Sequence, residues 1–137
     1  MAKEGLSIVT ISVDDSGGTA RDLSNDILSA TLTTPQGQFD MTGLDKSAIE
    51  RLGGLMDAKL SLHMTFNDAA GASFQVFKNP SVNVGGAAGR TVSYAVSGQT
   101  LPMEMLITSV SYPRGADGVQ YIDAELELCS GTVPTWA

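Results

Sequence analysis

The chain has 137 residues, 42% hydrophobic and 17% charged, the size of one domain, 1–137, whose core folds without staples. Lysine and arginine total 8 against 15 acids, a net charge of −7 and a pI near 4.4. That balance argues against ordinary nucleic-acid binding and against docking on an anionic membrane. One cysteine, Cys129, cannot close an internal disulfide and reads as a small buried apolar residue. The first residues, MAKEGLSIVTISVDD, hold no apolar run of signal-peptide length. Nothing later is long enough to span a bilayer. Folding in a cytoplasm, with no membrane insertion, is the expectation.

In chain order, LSIVTISV (6–13) is a predicted strand with Val9, Ile11 and Val13 on one side. DDSGGTARDLSN (14–25) is polar, glycine-containing and aperiodic. DILSATLTT (26–34) alternates Leu28, Ala30 and Leu32 against Ile27, Ser29 and Thr31. In LDKSAIERLGGLMDAK, Ser47 and Glu50 have capping-box spacing, with Asp45 an alternative cap. Ile49, Leu52 and Met56 share a helical face, so a short helix is expected over about 46–56, packed on the sheet and weakened by Gly53-Gly54.

KLSLHMTF (59–66) sets Leu60, Leu62, Met64 and Phe66 against Ser61, His63 and Thr65. SFQVFK (73–78), TVSYAVSG (91–98), MEMLITSVSY (103–112) and VQYIDAELEL (119–128) read as further strands. The glycine-rich NVGGAAGR (83–90) is most economically a connection. PRGADG supplies turn residues that make the last two strands a hairpin. The fold class expected is mainly β: an antiparallel β-sandwich or partly open barrel with one short helix.

The inventory for catalysis is thin. With one histidine, His63, and one cysteine, the usual zinc sets cannot be assembled. No nucleophile-elbow motif marks any serine. GGAAG (85–89) lacks the Gly-Lys-Ser/Thr ending of a phosphate loop. Asp14, Asp15, Asp22 and Asp26 do not have the spacing of a calcium loop. The reading is a non-enzyme without cofactor or metal.

YIDAELEL (121–128) puts Asp123, Glu125 and Glu127 on one parity. Like charges two residues apart on a strand stand about 6–7 Å from each other, costing roughly 0.6 kcal/mol per contact even in water. The hairpin partner MEMLITSVSY contributes no lysine or arginine and one more acid, Glu104. Lys59 or Lys78, on other predicted strands, are the candidate cations. An ordinary wet face and a surface kept negative for function both fit.

DDSGGTARDLSNDI (14–27), followed by FDMTGLDKSAIERLGGLMDAKLSLHMTFND (39–68), resembles the major tail tube protein of long-tailed (siphovirus-type) phages. The likeness covers the first half of the chain in motif and the rest in strand pattern. It implies a structural protein similar in fold to the type VI secretion tube. Its subunits close into six-membered rings, each a continuous β-barrel, and the rings stack around a lumen. The implied partners are other copies of the chain, the tape measure protein, tail terminator and distal tail proteins. DNA passes through without specific binding, and the place is the virion tail, assembled in the host cytoplasm. Under this reading Glu104, Asp123, Glu125 and Glu127 are candidates for lumen lining. Candidate subunit or ring contacts are Asp14, Asp15, Arg21, Asp22, Gly85, Arg90, Arg114, Asp117 and Trp136. Another ring or tube component of the same machinery is a close variant. From a different class, the alternative is a monomeric β-sandwich module for a small ligand or carbohydrate.

Overall fold

The computed structural model describes residues 9–79 and 89–137. Strands β1 (Val9–Asp14), β2 (Ala20–Asp22) and β3 (Ile27–Thr33) open the chain, followed by β4 (Gln36–Asp40), β5 (Arg51–Met56) and β6 (Lys59–Thr65). One short helix, α1 (Ser73–Phe77), precedes β7 (Arg90–Val96), β8 (Gln99–Ser111) and β9 (Tyr121–Leu128). Seven strands form one antiparallel sheet in the order β2-β1-β7-β8-β9-β6-β3, while β4 and β5, among the described residues, pair only with each other.

The alternating sequences make the two faces of this sheet. Ile11, Val13, Leu60, Leu62, Met64, Val92, Leu101, Met103, Met105, Ile122, Ala124 and Leu126 form the buried side. Serines, threonines and carboxylates on the other parity stay wet. The 13-residue β8 serves both halves of the sheet: Gln99–Met105 pair with β7, and Met105–Ser111 pair with β9. A register shift between Ile107 and Ser109 accompanies the change of partner. Toward the two ends of the strand order, β1 and β3 contribute to a groove of about 320 Å³ lined by Ile11, Ile27, Ala30 and Tyr94. The result is a partly open barrel in which, among the described residues, the outer edge of β3 is unpaired.

Two local expectations are corrected. The 46–56 segment is not a helix: residues 51–56 are strand β5, and β4–β5 project as a hairpin arm. Gly53-Gly54 explain part of this. A Cβ on Gly54 would lie 3.1 Å from the Phe39 ring and 3.2 Å from the Gly37 carbonyl, so the glycine permits close approach of the two strands. Ile49 and Leu52 are 58% and 54% exposed instead of packing on the sheet. Ser47 and Glu50 form no capping box; the Glu50 amide donates to Thr42 Oγ1.

SFQVFK, expected as a strand, instead contains α1. Its buried residues Ser73, Val76 and Phe77 have helical i, i+3, i+4 spacing and close one end of the core. The ends of α1 are held from outside the helix. Asp26, 6% exposed, accepts the Ser73 amide and the Asn67 side-chain amide. Arg90, fully buried, donates to the Val76 and Asn79 carbonyls. Smaller departures are Leu28, 53% exposed beside a register shift between Ile27 and Ser29, and Phe66, 39% exposed just beyond the end of β6.

Candidate acidic assembly face

Antiparallel register places the acid stripe of β9 in the middle of a four-strand surface. One row across it runs Ser111, Asp123, His63, Ser29. The next runs Ser109, Glu125, Ser61, Thr31, and the third Leu106, Glu127, Lys59, Thr33. All of these side chains share the parity opposite the core. Glu104 lies on the same parity of β8 and accepts a hydrogen bond from Thr91 Oγ1. The four candidate lining residues are thus brought onto one face, set among serine and threonine hydroxyls.

The cation missing from β8 is supplied from the other side of β9. Lys59 Nζ stands 3.7 Å from Glu127 Oε1, and His63 Nδ1 is hydrogen-bonded to Asp123 Oδ1. His63 also lies against the Tyr121 ring, 5.0 Å between centroids. Lys78, the other cation considered, caps α1 and takes no part. Glu125, between the two pairs, meets Ser61 and Ser109 and no cation among the described residues. Exposed pairs of this kind contribute about 0–1 kcal/mol, so the face remains anionic in character. Cys129 lies at its margin, half-buried, with its thiol donating to the Glu104 carbonyl. Burial, with the Glu104 charge adding to it, pushes that thiol's pKa up and keeps it protonated.

The candidate contact residues do not form one surface. Asp14 ends β1. Asp15 and Arg21 form a 3.0 Å ion pair, and Asp15 also accepts the Gly17 and Thr19 amides. The Thr19 amide is the main cause of a carboxyl pKa held below its ordinary value, with Arg21 assisting. Asp22 caps the following turn through the Ser24 amide. Arg114 and Asp117 occupy the exposed β8–β9 turn, bonded to Gln120 and the Val119 amide. Trp136 is 48% exposed and meets Tyr94 edge to face at 6.1 Å, while Ala137 pairs with Thr100. Gly85 lies outside the described residues.

Arg90, expected at a contact surface, is buried within its own chain, where its guanidinium donates to the Val76 and Asn79 carbonyls. Burial draws its pKa down, and the nearby Asp15 and Asp14 charges oppose that. The sequence reading missed the β4–β5 arm as a surface. Every residue from 33 to 53 is exposed, including Phe39, Met41, Leu44, Ile49 and Leu52, and Leu55 follows at 91%. The signal was present in the apolar residues of FDM and IERLGGLM, the second of which the helix assignment absorbed.

Among the described residues no group of three or more His, Cys, Asp or Glu is disposed to hold a metal ion, and no helix is long and apolar enough to cross a membrane.

The chain shares its fold with chains of a gene transfer agent virion and tail and of a prophage baseplate. A chain in the native virion of a gene transfer agent superposes with a TM-score of 0.76 at 15% identity, covering 99% of both chains. A chain in the tail of the empty gene transfer agent particle, refined helically with C6 symmetry, gives 0.77 at 15% identity, again over 99% of both. A chain of the six-fold symmetrised baseplate of the anti-feeding prophage gives 0.65 at 12% identity, over 100% of this chain and 97% of that one. No family model and no curated protein sequence matches the chain.

Proposed function

We propose that this chain is the subunit of a tail tube, closing head to tail into six-membered rings that stack into a conduit for DNA. The observation that carries this reading is the shared fold over 99% of both chains with a component of a helically ordered, six-fold symmetric tail. The edge of β3, unpaired among the described residues, supports it. An exposed strand edge is a hazard in a monomer, and pairing it with the next subunit around a closed ring removes the hazard. The face built on Asp123, Glu125, Glu127 and Glu104 is assigned to the bore. Carboxylates and hydroxyls there repel phosphate and offer it no cationic foothold, so DNA slides. The role is structural, without a catalytic step. The tape measure protein would fill the bore during assembly, and terminator and distal tail proteins would meet the two ends. The site of action is the virion tail, after assembly in the host cytoplasm.

Negative-stain microscopy of the purified protein at rising concentration tests this. Rings, then tubes of even bore, are the expected result. A monomer persisting at every concentration would instead favour the ligand-binding module, although the groove between β1 and β3 is lined by one aromatic residue, Tyr94.

A further inference from the structure

Strand β8 is the longest of the described strands, and its thirteen residues include one charged side chain, Glu104, and one proline, Pro102. The stretch Met105–Val110, MLITSV, is uncharged, rich in β-branched residues and free of proline. A strand of that composition pairs with other chains wherever its backbone is left open.

Strand β9 covers part of β8, from Met105 to Ser111. On the same side, the backbone of Gln99–Glu104 runs on past the end of β9, and the last residues of the chain take its place. The Thr100 amide donates to the Ala137 carbonyl at 2.8 Å, and the Ala137 amide donates back to the Thr100 carbonyl at 3.0 Å. The Cys129 amide donates to the Glu104 carbonyl, also at 3.0 Å. Pro102, midway between these anchors, turns its backbone to the same side by the two-residue alternation of an antiparallel strand. It has no N–H to offer there, and it stands where the pairing with Ser93 of β7 asks for none.

Between the anchors the chain arches away from β8. A groove of about 320 Å³ lies beneath it, with Thr91, Pro102 and Glu104 on one wall and Thr132, Val133 and Pro134 on the other. Val133 and Trp136 are both about half exposed, and Trp136 rests edge to face on Tyr94. Burial this shallow gives the segment little packing energy, so its seat is the strand edge itself.

We propose that residues 129–137 are a strap that keeps the Gln99–Glu104 edge of β8 from pairing with β8 of a second copy, with Pro102 as a second guard on the same edge. A foreign strand gains the Thr100 and Glu104 backbone after the strap leaves, and it then meets a proline at the centre of the ladder. Strand β3 carries neither device. Its sequence, ILSATLT, has no proline, and no strand among the described residues covers its outer edge. One edge is thus closed twice and another left open. The inference stands on this edge chemistry and not on the tube reading.

Deleting residues 130–137 removes the strap and keeps the Cys129–Glu104 bond, while Pro102→Thr restores an N–H at an exposed position. Hydrogen exchange resolved by residue reads the opening. In the deletion variant the Thr100 amide should exchange about tenfold faster, while the Leu101 and Met103 amides, turned toward β7, keep their rates. The deletion variant should then form disordered, thioflavin-binding aggregates at concentrations where the full chain stays clear. Adding Pro102→Thr to the deletion should lower that concentration further, and Pro102→Thr with the strap in place should stay clear. A folded deletion variant that stays clear with and without Pro102→Thr overturns the proposal. Aggregation of Pro102→Thr alone also overturns it, because the strap then fails to close the edge. Should the deletion variant melt early, Trp136→Ser/Ala137→Pro replaces it. That change removes the Tyr94 contact and the amide that donates to Thr100 without shortening the chain, and the same outcomes decide. Rings or tubes of the full chain are scored separately, so their absence bears on the tube reading and leaves the strap to be judged by exchange and aggregation.

Discussion

Arg90 shows how one side chain decides a local structure. A buried guanidinium costs desolvation and persists only where its donors are used. Here they go to the carbonyls of Val76 and Asn79, acceptors that the end of a helix leaves without partners. Arg90→Met keeps the stem volume and removes those donors. It should destabilise the domain by about 1–3 kcal/mol, the cost of leaving buried acceptors unpaired. That corresponds to a melting temperature roughly 5–10 °C lower. Thermal melting followed by circular dichroism measures it, and an unchanged midpoint would mean the acceptors find other donors.

At the scale of elements, length separates what the sequence made legible from what it concealed. Strands β6 and β9 were legible because five or more alternating residues leave one face to the core and one to water. The acid stripe was legible for the same reason. Its pairing with His63 and Lys59 was not, because a register between residues sixty positions apart has no local signal. Short segments misled in both directions. Residues 73–77 alternate well enough for a strand, yet Asp26 and Arg90 hold them helical. Residues 46–56 space their apolar groups well enough for a helix, yet Phe39 draws Leu52 into a hairpin. Gly54 lies at the centre of that choice. Gly54→Ala would push a Cβ to 3.2 Å from the Gly37 backbone, which cannot swing aside like a side chain. The arm should fray while the seven-stranded sheet keeps its melting temperature to within about 2 °C. Limited proteolysis with mass spectrometry should show faster cleavage between residues 36 and 56 and nowhere else. Equal cleavage rates in the variant and the parent would show that the arm tolerates the added methyl.

For the whole molecule the useful quantity is the charge presented by one face. Glu104, Asp123, Glu125 and Glu127 stand there against Lys59, with His63 bonded to Asp123. Replacing all three β9 acids by lysine would set a lysine opposite Lys59 and another opposite His63, so a folding defect would mask any effect on DNA. Glu125 is the position to reverse, because its cross-strand neighbours are Ser61 and Ser109. Glu125→Lys combined with Thr31→Lys and Ser111→Lys leaves the Lys59–Glu127 and His63–Asp123 pairs in place. It turns four carboxylates against one lysine into three against four. Tubes of this variant should retain DNA in a nuclease-protected form and release it as salt rises from about 50 to 200 mM, the mark of phosphate contacts made by lysine. Wild-type tubes should retain none. DNA held by the variant but fully open to nuclease would place these strands on the outer wall and remove the face from the bore. No retention at all would show that the charge of this face does not govern passage.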